Sequence, residues 1–386
     1  MAKLKVLMMG GRRCGKTSAL ASLFDQMIHG ATNEFLTVCD LTKQEDKYNP
    51  ITKHFEKQDL LSNKKLELEY FIDNGGNRTF LVDKGPTPHF WDYNLQIKIP
   101  GTSRSMEIIF RDSAGEFFDA GGPHHEETVE FVKECDVFVI VVDTTYLMAG
   151  TPAQSQAANI PDSIHTFLTQ IDSDKGRKAK QVIFVPIKCE KWVQTGQIDS
   201  VVSAIEKMYD ATIKDLSTSN KTEISIIPIQ TVGDILFEEL RKAHMLFNET
   251  TQKGIKCSKI SDRLVILNTG ISHQVTRTET ILDDPEGVFI YGKDQKTIDR
   301  PSAWFHLPYD REAKYTPHNC EQLPLHIIRF MFQKKKLEAW NGIIGNIINF
   351  FGGISSQDMQ TAIDALSRAN LIKDYGEGIK IIRRCF

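Results

Sequence analysis

A glycine-rich octet near the amino terminus reads Gly10-Gly11-Arg12-Arg13-Cys14-Gly15-Lys16-Thr17. It fits the pattern G-x-x-x-x-G-K-[ST] and lies between an apolar run at 3–9, which predicts a buried strand, and an amphipathic stretch at 17–28, which predicts a helix. Glycines let the backbone curl so that successive N–H groups face phosphate oxygens, and the helix amino terminus adds partial positive charge. The octet therefore predicts a phosphate-binding loop, or P-loop, whose eight residues bind a nucleotide together with Ser18.

Individual side chains of this loop have distinct predicted roles. Lys16 is expected to reach the β and γ phosphates as a point charge, and the Thr17 hydroxyl to bind Mg²⁺. Arg12 and Arg13 are either arginine fingers for phosphoryl transfer or solvated side chains on the rim of the loop. Cys14 is either a redox-sensitive thiol at a helix amino terminus or a small packed residue.

Apolar strands alternate with helical periodicity through the next two hundred residues. Four runs are continuous enough for buried strands, and these are 106–110, 137–142, 182–187 and 224–229. Helical spacing follows them at 127–135, 164–171, 201–209 and 235–247. The alternating stretch 91–99 predicts a hairpin partner for 106–110. We therefore expect a three-layer α/β fold, with a mostly parallel sheet and one antiparallel edge strand.

Length and local composition divide the chain. A chain of 386 residues exceeds the usual size of one compact core. We predict a P-loop domain over 1–248 with a charged insertion at 31–85, then a β-rich extension and closing helix over 249–336. The last part, 337–386, is expected to be a small module with a helix and a hairpin.

Charge and cysteine content exclude several classes of protein. A net charge of −3 implies no general attraction to nucleic acid. The seven scattered cysteines are typical of reduced thiols in a cytoplasmic protein. We expect no signal peptide, because residues 3–9 are predicted to form a strand, and no spanning helix, because no uncharged apolar run is long enough. An apolar stripe over 340–351 is interpreted as internal packing, so membrane contact is not expected.

A second motif follows the strand at 106–110 and reads Asp112-Ser113-Ala114-Gly115-Glu116. A carboxylate at the end of a buried strand can hold Mg²⁺ through a water molecule. A glycine three residues later can donate its N–H to the γ-phosphate. Asp112 is therefore a candidate metal residue and Gly115 a candidate catalytic residue.

The order of P-loop, hairpin and Asp-Ser-Ala-Gly-Glu resembles the Ras-like GTPases of the translation-factor-related class. The resemblance covers roughly residues 3–240, and it assigns to Lys16, Thr17, Asp112 and Gly115 the roles given above. It also implies a threonine before the hairpin that closes over Mg²⁺ when the γ-phosphate is present. Thr87 fits this position by its spacing.

Thr79 is the alternative for the Mg²⁺-closing threonine, because the segment before the hairpin is long and irregular. Where the family usually has a glutamine that orients the attacking water, this chain has Glu116. The negative charge of Glu116 opposes the γ-phosphate, so the resemblance implies slow hydrolysis. A nucleotide-binding module without turnover is the alternative.

Base recognition in this family uses a motif N/T-K-x-D at the end of a strand. Here the corresponding residues are Ile187, Lys188, Cys189 and Glu190. The resemblance implies that Lys188 packs on the guanine and that Glu190 accepts hydrogen bonds from it. The loop 230–233, with Thr231, corresponds to the family loop whose N–H groups meet the base oxygen. The departures at Ile187 and Glu190 favour the other alternative, a P-loop ATPase.

A second resemblance is to bacterial double-GTPase families associated with conflict and defence loci. It rests on three phrases, 186–190, 229–233 and 317–321. Together the two resemblances imply a Mg²⁺-dependent switch that binds and hydrolyses GTP, with GDP as the product. Its expected partner is a protein effector or a paired GTPase.

Overall fold

A computed structural model gives the architecture of the chain. It describes residues 2–11, 14–29, 37–40, 45–49, 54–58, 80–83, 91–98, 105–113, 125–172, 180–218, 221–241, 244–245, 264–267, 278–282, 302–340 and 371–385, with single positions at 61, 65, 68, 69, 72 and 364. Several residues of the predicted site lie outside these ranges, and they are Arg12, Arg13, Thr79, Thr87, Gly115 and Glu116.

In the described chain, runs of consecutive strands lie before and after a central part in which single strands are separated by helices. The strands are β1 (Ala2–Met9), β2 (Thr37–Asp40), β3 (Glu45–Asn49), β4 (His54–Gln58), β5 (Phe80–Asp83), β6 (Trp91–Lys98), β7 (Ser105–Asp112), β8 (Val137–Asp143), β9 (Lys180–Ile187), β10 (Thr222–Ile226), β11 (Leu236–Arg241), β12 (His244–Met245), β13 (Leu264–Leu267), β14 (Thr278–Leu282), β15 (Ser302–His306), β16 (Tyr375–Gly376) and β17 (Ile379–Arg383). The helices are α1 (Lys16–His29), α2 (His125–Glu134), α3 (Thr144–Ala149), α4 (Pro152–Asn159), α5 (Pro161–Asp172), α6 (Glu190–Gln194), α7 (Ile198–Met208), α8 (Asp210–Ser217) and α9 (Gln322–Trp340).

The main sheet has nine strands in the order β16-β17-β10-β9-β8-β1-β7-β6-β2. Its five central strands, from β10 to β7, pair in parallel. Antiparallel strands lie at both ends: β6 pairs with β7 as predicted, and β2 and the β16–β17 hairpin are further additions. The predicted α/β fold with a mostly parallel sheet is confirmed.

Helices cover both faces of the main sheet. Strand β8 reads VFVIVVD and is buried at every position, as expected for a parallel strand with a layer on each side. On one face its side chains share a core with α1 and α9, for example Phe24 and Phe330. On the other face they share a core with α2, α5 and α7, for example Phe131 and Phe167. The three predicted layers are thus present.

A second sheet holds much of the β-rich sequence. Its order is β11-β15-β5-β13-β14-β12, so it combines β5, from the predicted insertion at 31–85, with strands that follow residue 235. The helix predicted over 235–247 is wrong, because β11 occupies its first half. Strand β11 pairs with β15, and Phe237 packs against Trp192 and Phe305. This pairing and packing outweigh the helical propensity of the Leu-Phe-Glu-Glu-Leu sequence.

The C-terminal hairpin belongs to the main sheet. Strand β17 pairs with β10, and α9 extends across the boundary predicted at 336. Gln322 donates to the Leu371 carbonyl at 2.8 Å and accepts from the Lys373 N–H at 2.9 Å. The His326 ring bonds the Lys373 carbonyl, and burial together with the charge of Arg329 lowers its pKa to about 4. The three-part division of the chain otherwise stays a prediction, since most of 246–301 lies outside the described residues.

The apolar stripe predicted over 340–351 lies outside the described residues after Trp340. In the part of the chain that the structure covers, no helix combines the length and apolarity needed to cross a bilayer.

We predict that Ile379→Ala lowers the free energy of unfolding of the main sheet by about 2–5 kcal/mol. Ile379 is 4% exposed and packs in the same core as α1 and α9, so truncation leaves a cavity there. The matched control is Lys380→Ala, which removes only a solvent-exposed ion pair with Glu206 and should cost below about 1 kcal/mol. Urea unfolding followed by tryptophan fluorescence measures both. Equal small losses would mean that the hairpin is an independent module.

Candidate functional site

The P-loop connects the end of β1 to the start of α1, and close backbone contacts explain its glycines. A Cβ atom at Gly11 would lie 1.9 Å from the Ala158 carbonyl oxygen at the end of α4. Gly15 has φ +111°, in the region that favours glycine, and a Cβ there would lie 2.7 Å from Ile187. Larger residues at these two positions would displace the backbone of the loop.

Lys16 lies across the interior of this loop. Its Nζ donates to the carbonyl oxygens of Gly10 and Gly11, both at 3.1 Å, and its side chain is 7% exposed. Cys14 is buried with its Sγ 3.9 Å from the same Nζ. Burial raises the pKa of the Cys14 thiol despite the nearby lysine charge, which favours the packed interpretation over the reactive thiol.

Thr17 and Asp112 meet at the edge where β1 and β7 end. The Thr17 hydroxyl donates to Asp112 Oδ2 at 2.6 Å, and Asp112 is 1% exposed. Parallel pairing of Met8 with Asp112 fixes this position, since Met8 lies just before the loop. Ser18 and Ser113, which follow Thr17 and Asp112 in the sequence, are buried as well.

The side chains of Thr17 and Asp112 are of the kinds that bind a magnesium ion. A hydroxyl and a carboxylate are hard oxygen ligands, and Mg²⁺ typically takes one or two protein oxygens besides phosphate and water. Within the described ranges, no group of three or more His, Cys, Asp or Glu residues could hold a metal by itself. The donors at Thr17 and Asp112 therefore fit a magnesium ion shared with phosphate, and they do not form an all-protein metal cage.

Lys188 lies beside the P-loop and is paired with a buried carboxylate. Its backbone is left-handed, with φ +56°, and its Nζ donates to Asp143 Oδ2. Its Cε would lie 3.9 Å from a Cβ at Gly15. Burial lowers the pKa of Lys188, but the charge of Asp143 and its hydrogen bond outweigh burial and raise it. Lys188 is therefore a charged ammonium at the junction of the P-loop and β9.

Sequence reasoning missed Asp143, which ends β8 in register with Ile187. Asp143 Oδ1 caps α3 by accepting from the N–H and hydroxyl of Thr145. Its own N–H donates to Asn159 Oδ1 at 2.7 Å. The available signal was its place at the carboxyl end of a buried strand, the same feature that singled out Asp112.

Glu190 opens α6 and turns toward the loop that follows β10. Its Oε1 accepts from the N–H of Thr231 at 3.1 Å and from that of Val232 at 3.4 Å. The carboxyl is 3% exposed, and burial raises its pKa to about 7 although these N–H donors act in the opposite direction. Glu190 and Thr231, both predicted to bind the base, are thus in contact with each other, and the N–H of Thr231 is bonded to the Glu190 carboxylate.

Hydrogen bonds from other parts of the chain hold the loop 230–233 in place. Ser22 of α1 donates to the Thr231 carbonyl at 2.6 Å, and the Tyr315 hydroxyl donates to Ser22 at 3.3 Å. The Thr316 N–H donates to the Val232 carbonyl at 2.8 Å. Gln230 and His318 exchange two backbone hydrogen bonds, both 2.9 Å. No sequence pattern indicated that Ser22 or Tyr315 would serve this loop.

Two solved structures similar to this chain are crystal structures of the S. cerevisiae Ski7 GTPase-like domain. The one bound to GTP has a TM-score of 0.27 and 13% identity, and the match covers 60% of this chain and 43% of that chain. The one bound to GDP and inorganic phosphate has a TM-score of 0.27 and 9% identity, with coverages of 80% and 76%. Among curated protein sequences, none matches this chain significantly.

A family model matches the central part of the main sheet. The matched residues, 83–235, contain Asp112, Asp143, Lys188 and Glu190 and begin after the P-loop. The family is described as Double-GTPase 2. Over this segment the chain is similar to the Double-GTPase 2 family, and the segment contributes strands to the mostly parallel main sheet.

Proposed function

We propose that this protein is a Mg²⁺-dependent switch that binds GTP and hydrolyses it slowly. The observation that carries the proposal is the meeting of Lys16, Thr17 and Asp112 at one edge of the parallel sheet. A buried ammonium inside a glycine loop next to two hard oxygens suits a triphosphate and its metal.

The triphosphate would lie along the P-loop at the amino terminus of α1. In the structure the Lys16 ammonium group bonds two carbonyl oxygens of the loop, so it already lies at the glycine turn. Phosphate oxygens are stronger partners for an ammonium than backbone carbonyls, because the hydrogen bond is then between two ions. The N–H groups at the helix start would add further donors to the phosphates.

Thr17 and Asp112 would hold the magnesium ion, Thr17 directly and Asp112 through water. A magnesium ion held there would neutralise part of the phosphate charge. The hydrogen bond between the two side chains keeps their oxygens together at the end of β7. We assign Thr87 as the third residue of this metal site on its spacing in the sequence.

The guanine preference is proposed from the family match and from the base side of the site. Lys188, Glu190 and the loop 230–233 lie within the matched residues. Lys188 lies beside Gly15 of the P-loop, and Glu190 is hydrogen-bonded to the loop 230–233. A P-loop ATPase is the second candidate function. It is favoured by the Glu190 carboxyl, which is 3% exposed and bonded to the loop N–H groups.

For the chemical step we assign Gly115 as a γ-phosphate donor and Glu116 as the neighbour of the attacking water. The anionic Glu116 gains nothing from the negative charge that develops on the transferred phosphoryl group, so turnover should be slow. Closure of Thr87 and Gly115 on the γ-phosphate would make the protein a switch read by an effector or a paired GTPase.

We predict that Lys16→Ala abolishes measurable binding of a fluorescent GTP analogue while the protein stays folded. The change removes the buried cation from the phosphate site, and the side chain it truncates makes polar contacts in the loop. Titration by fluorescence anisotropy measures the affinity, and circular dichroism checks the fold. Lys214→Ala is the matched control, since Lys214 is 73% exposed on α8. Unchanged affinity in Lys16→Ala would remove the P-loop assignment.

We also predict slow, magnesium-dependent turnover of GTP. The single-turnover rate should be roughly 10⁻⁴ to 10⁻² s⁻¹ with Mg²⁺, and EDTA should suppress it. Thr17→Ala should raise the Mg²⁺ concentration needed for half-maximal rate, because it deletes the hydroxyl oxygen that would bind the ion directly. Phosphate release is the readout. A rate that EDTA leaves intact would contradict the metal assignment.

A further inference from the structure

The Glu190 carboxyl and the loop 230–233 form one hydrogen-bonded unit. Oε1 accepts from two successive N–H groups, at 3.1 and 3.4 Å, and the neighbouring N–H of Gly233 also lowers the carboxyl pKa. A carboxylate that serves several backbone donors of one loop holds that loop at a fixed distance from α6.

Little of the carboxyl surface is left for a second partner. Glu190 is 3% exposed, and Thr231 and Val232 are 5% exposed each. A residue that reads a base edge must present its acceptors to the base, at about 2.7–3.2 Å for each N–H donor. The backbone N–H of Thr231, which would meet a base oxygen, is already donated to Glu190.

The loop is held on its remaining sides by parts of the chain far apart in sequence. Ser22 fixes the Thr231 carbonyl, and Thr316 fixes the Val232 carbonyl. A Cβ at Gly233 would lie 2.4 Å from the Thr316 oxygen, so the segment 315–318 packs directly on the loop. Glu190 accepts from two N–H groups of this loop, and the carbonyls of Gln230, Thr231 and Val232 accept from other parts of the chain.

We propose that Glu190 is a positioning residue. It fixes the loop 230–233 as one wall of the base pocket, and base preference follows from the place of that wall and not from contact between the carboxylate and guanine. The inference rests on the proposed nucleotide site and assigns to Glu190 a different role from the one implied by the family pattern.

The two roles respond differently to replacement of the carboxylate by an amide. A carboxylate that contacts guanine accepts from N1–H and the exocyclic amino group. An amide in its place would offer an N–H donor, which opposes guanine and suits xanthine, whose ring has an oxygen at that position. A carboxylate that positions the loop needs only an acceptor for N–H groups, and the amide oxygen of glutamine supplies one.

The experiment compares Glu190→Gln and Glu190→Ala with the wild type in the full chain. Affinities for GTP and for xanthosine triphosphate are measured by competition with a fluorescent nucleotide. Glu312→Gln, the same chemical change at an exposed position, is the matched control. We expect Glu190→Gln to keep the GTP affinity and the GTP-to-XTP ratio within about threefold. We expect Glu190→Ala, which leaves buried N–H groups unsatisfied, to lose at least about tenfold in affinity for both nucleotides.

Two results would overturn the inference while the proposed function stands. A Glu190→Gln variant that loses GTP and gains XTP affinity would show direct contact with the base. A folded Glu190→Ala variant with wild-type affinities would show that Glu190 has no role in the nucleotide site. If the wild type binds neither nucleotide, the proposed function and the inference fail together, and this outcome is visible before any variant is made.

Discussion

Parallel pairing of β1 with β7 on one side and β8 on the other is the constraint on which the site depends. Parallel strands end at the same edge of a sheet, and the residue that follows each strand is therefore brought to that edge. The P-loop follows β1, Asp112 ends β7, Asp143 ends β8 and Lys188 follows β9. The register pairs Met8 with Asp112, and that alignment places the carboxylate 2.6 Å from the Thr17 hydroxyl. Gly10 and Lys188, which are 178 positions apart in the sequence, thus lie at the same edge of the sheet.

The base side of the site depends on a different part of the chain. The loop 230–233 is fixed by Ser22 from α1, by Glu190 from α6 and by the segment 315–318 that leads into α9. His318 of that segment also bonds Glu377 in the turn of the C-terminal hairpin, and Lys373 donates to the same carboxylate. The segment 315–318 is therefore part of the support of the loop 230–233 as well as part of the chain that leads into α9.

Local patterns were sufficient for the features that local physics controls. The glycine turn between β1 and α1, the buried central strands and the strand-end position of Asp112 could be predicted, because glycine spacing and apolar runs report directly on backbone shape and burial. Features set by distant partners could not. The stretch 236–241 has helical propensity and is a strand because β15 pairs with it, and the hairpin at 375–383 joins the main sheet because β10 offers an edge. The direction of the Glu190 carboxyl depends on a loop 41 residues away, so the family pattern gave its identity as a candidate but not its contacts.

The most direct test of the proposed guanine nucleotide site is a competition experiment on the wild-type chain. A fluorescently labelled GTP analogue is bound in the presence of Mg²⁺ and displaced by unlabelled GTP or ATP. GTP should compete at least tenfold better than ATP, which corresponds to about 1.4 kcal/mol of difference in binding free energy. Equal competition by ATP would contradict the guanine assignment and support the ATPase alternative. No displacement by either nucleotide would contradict the phosphate site itself.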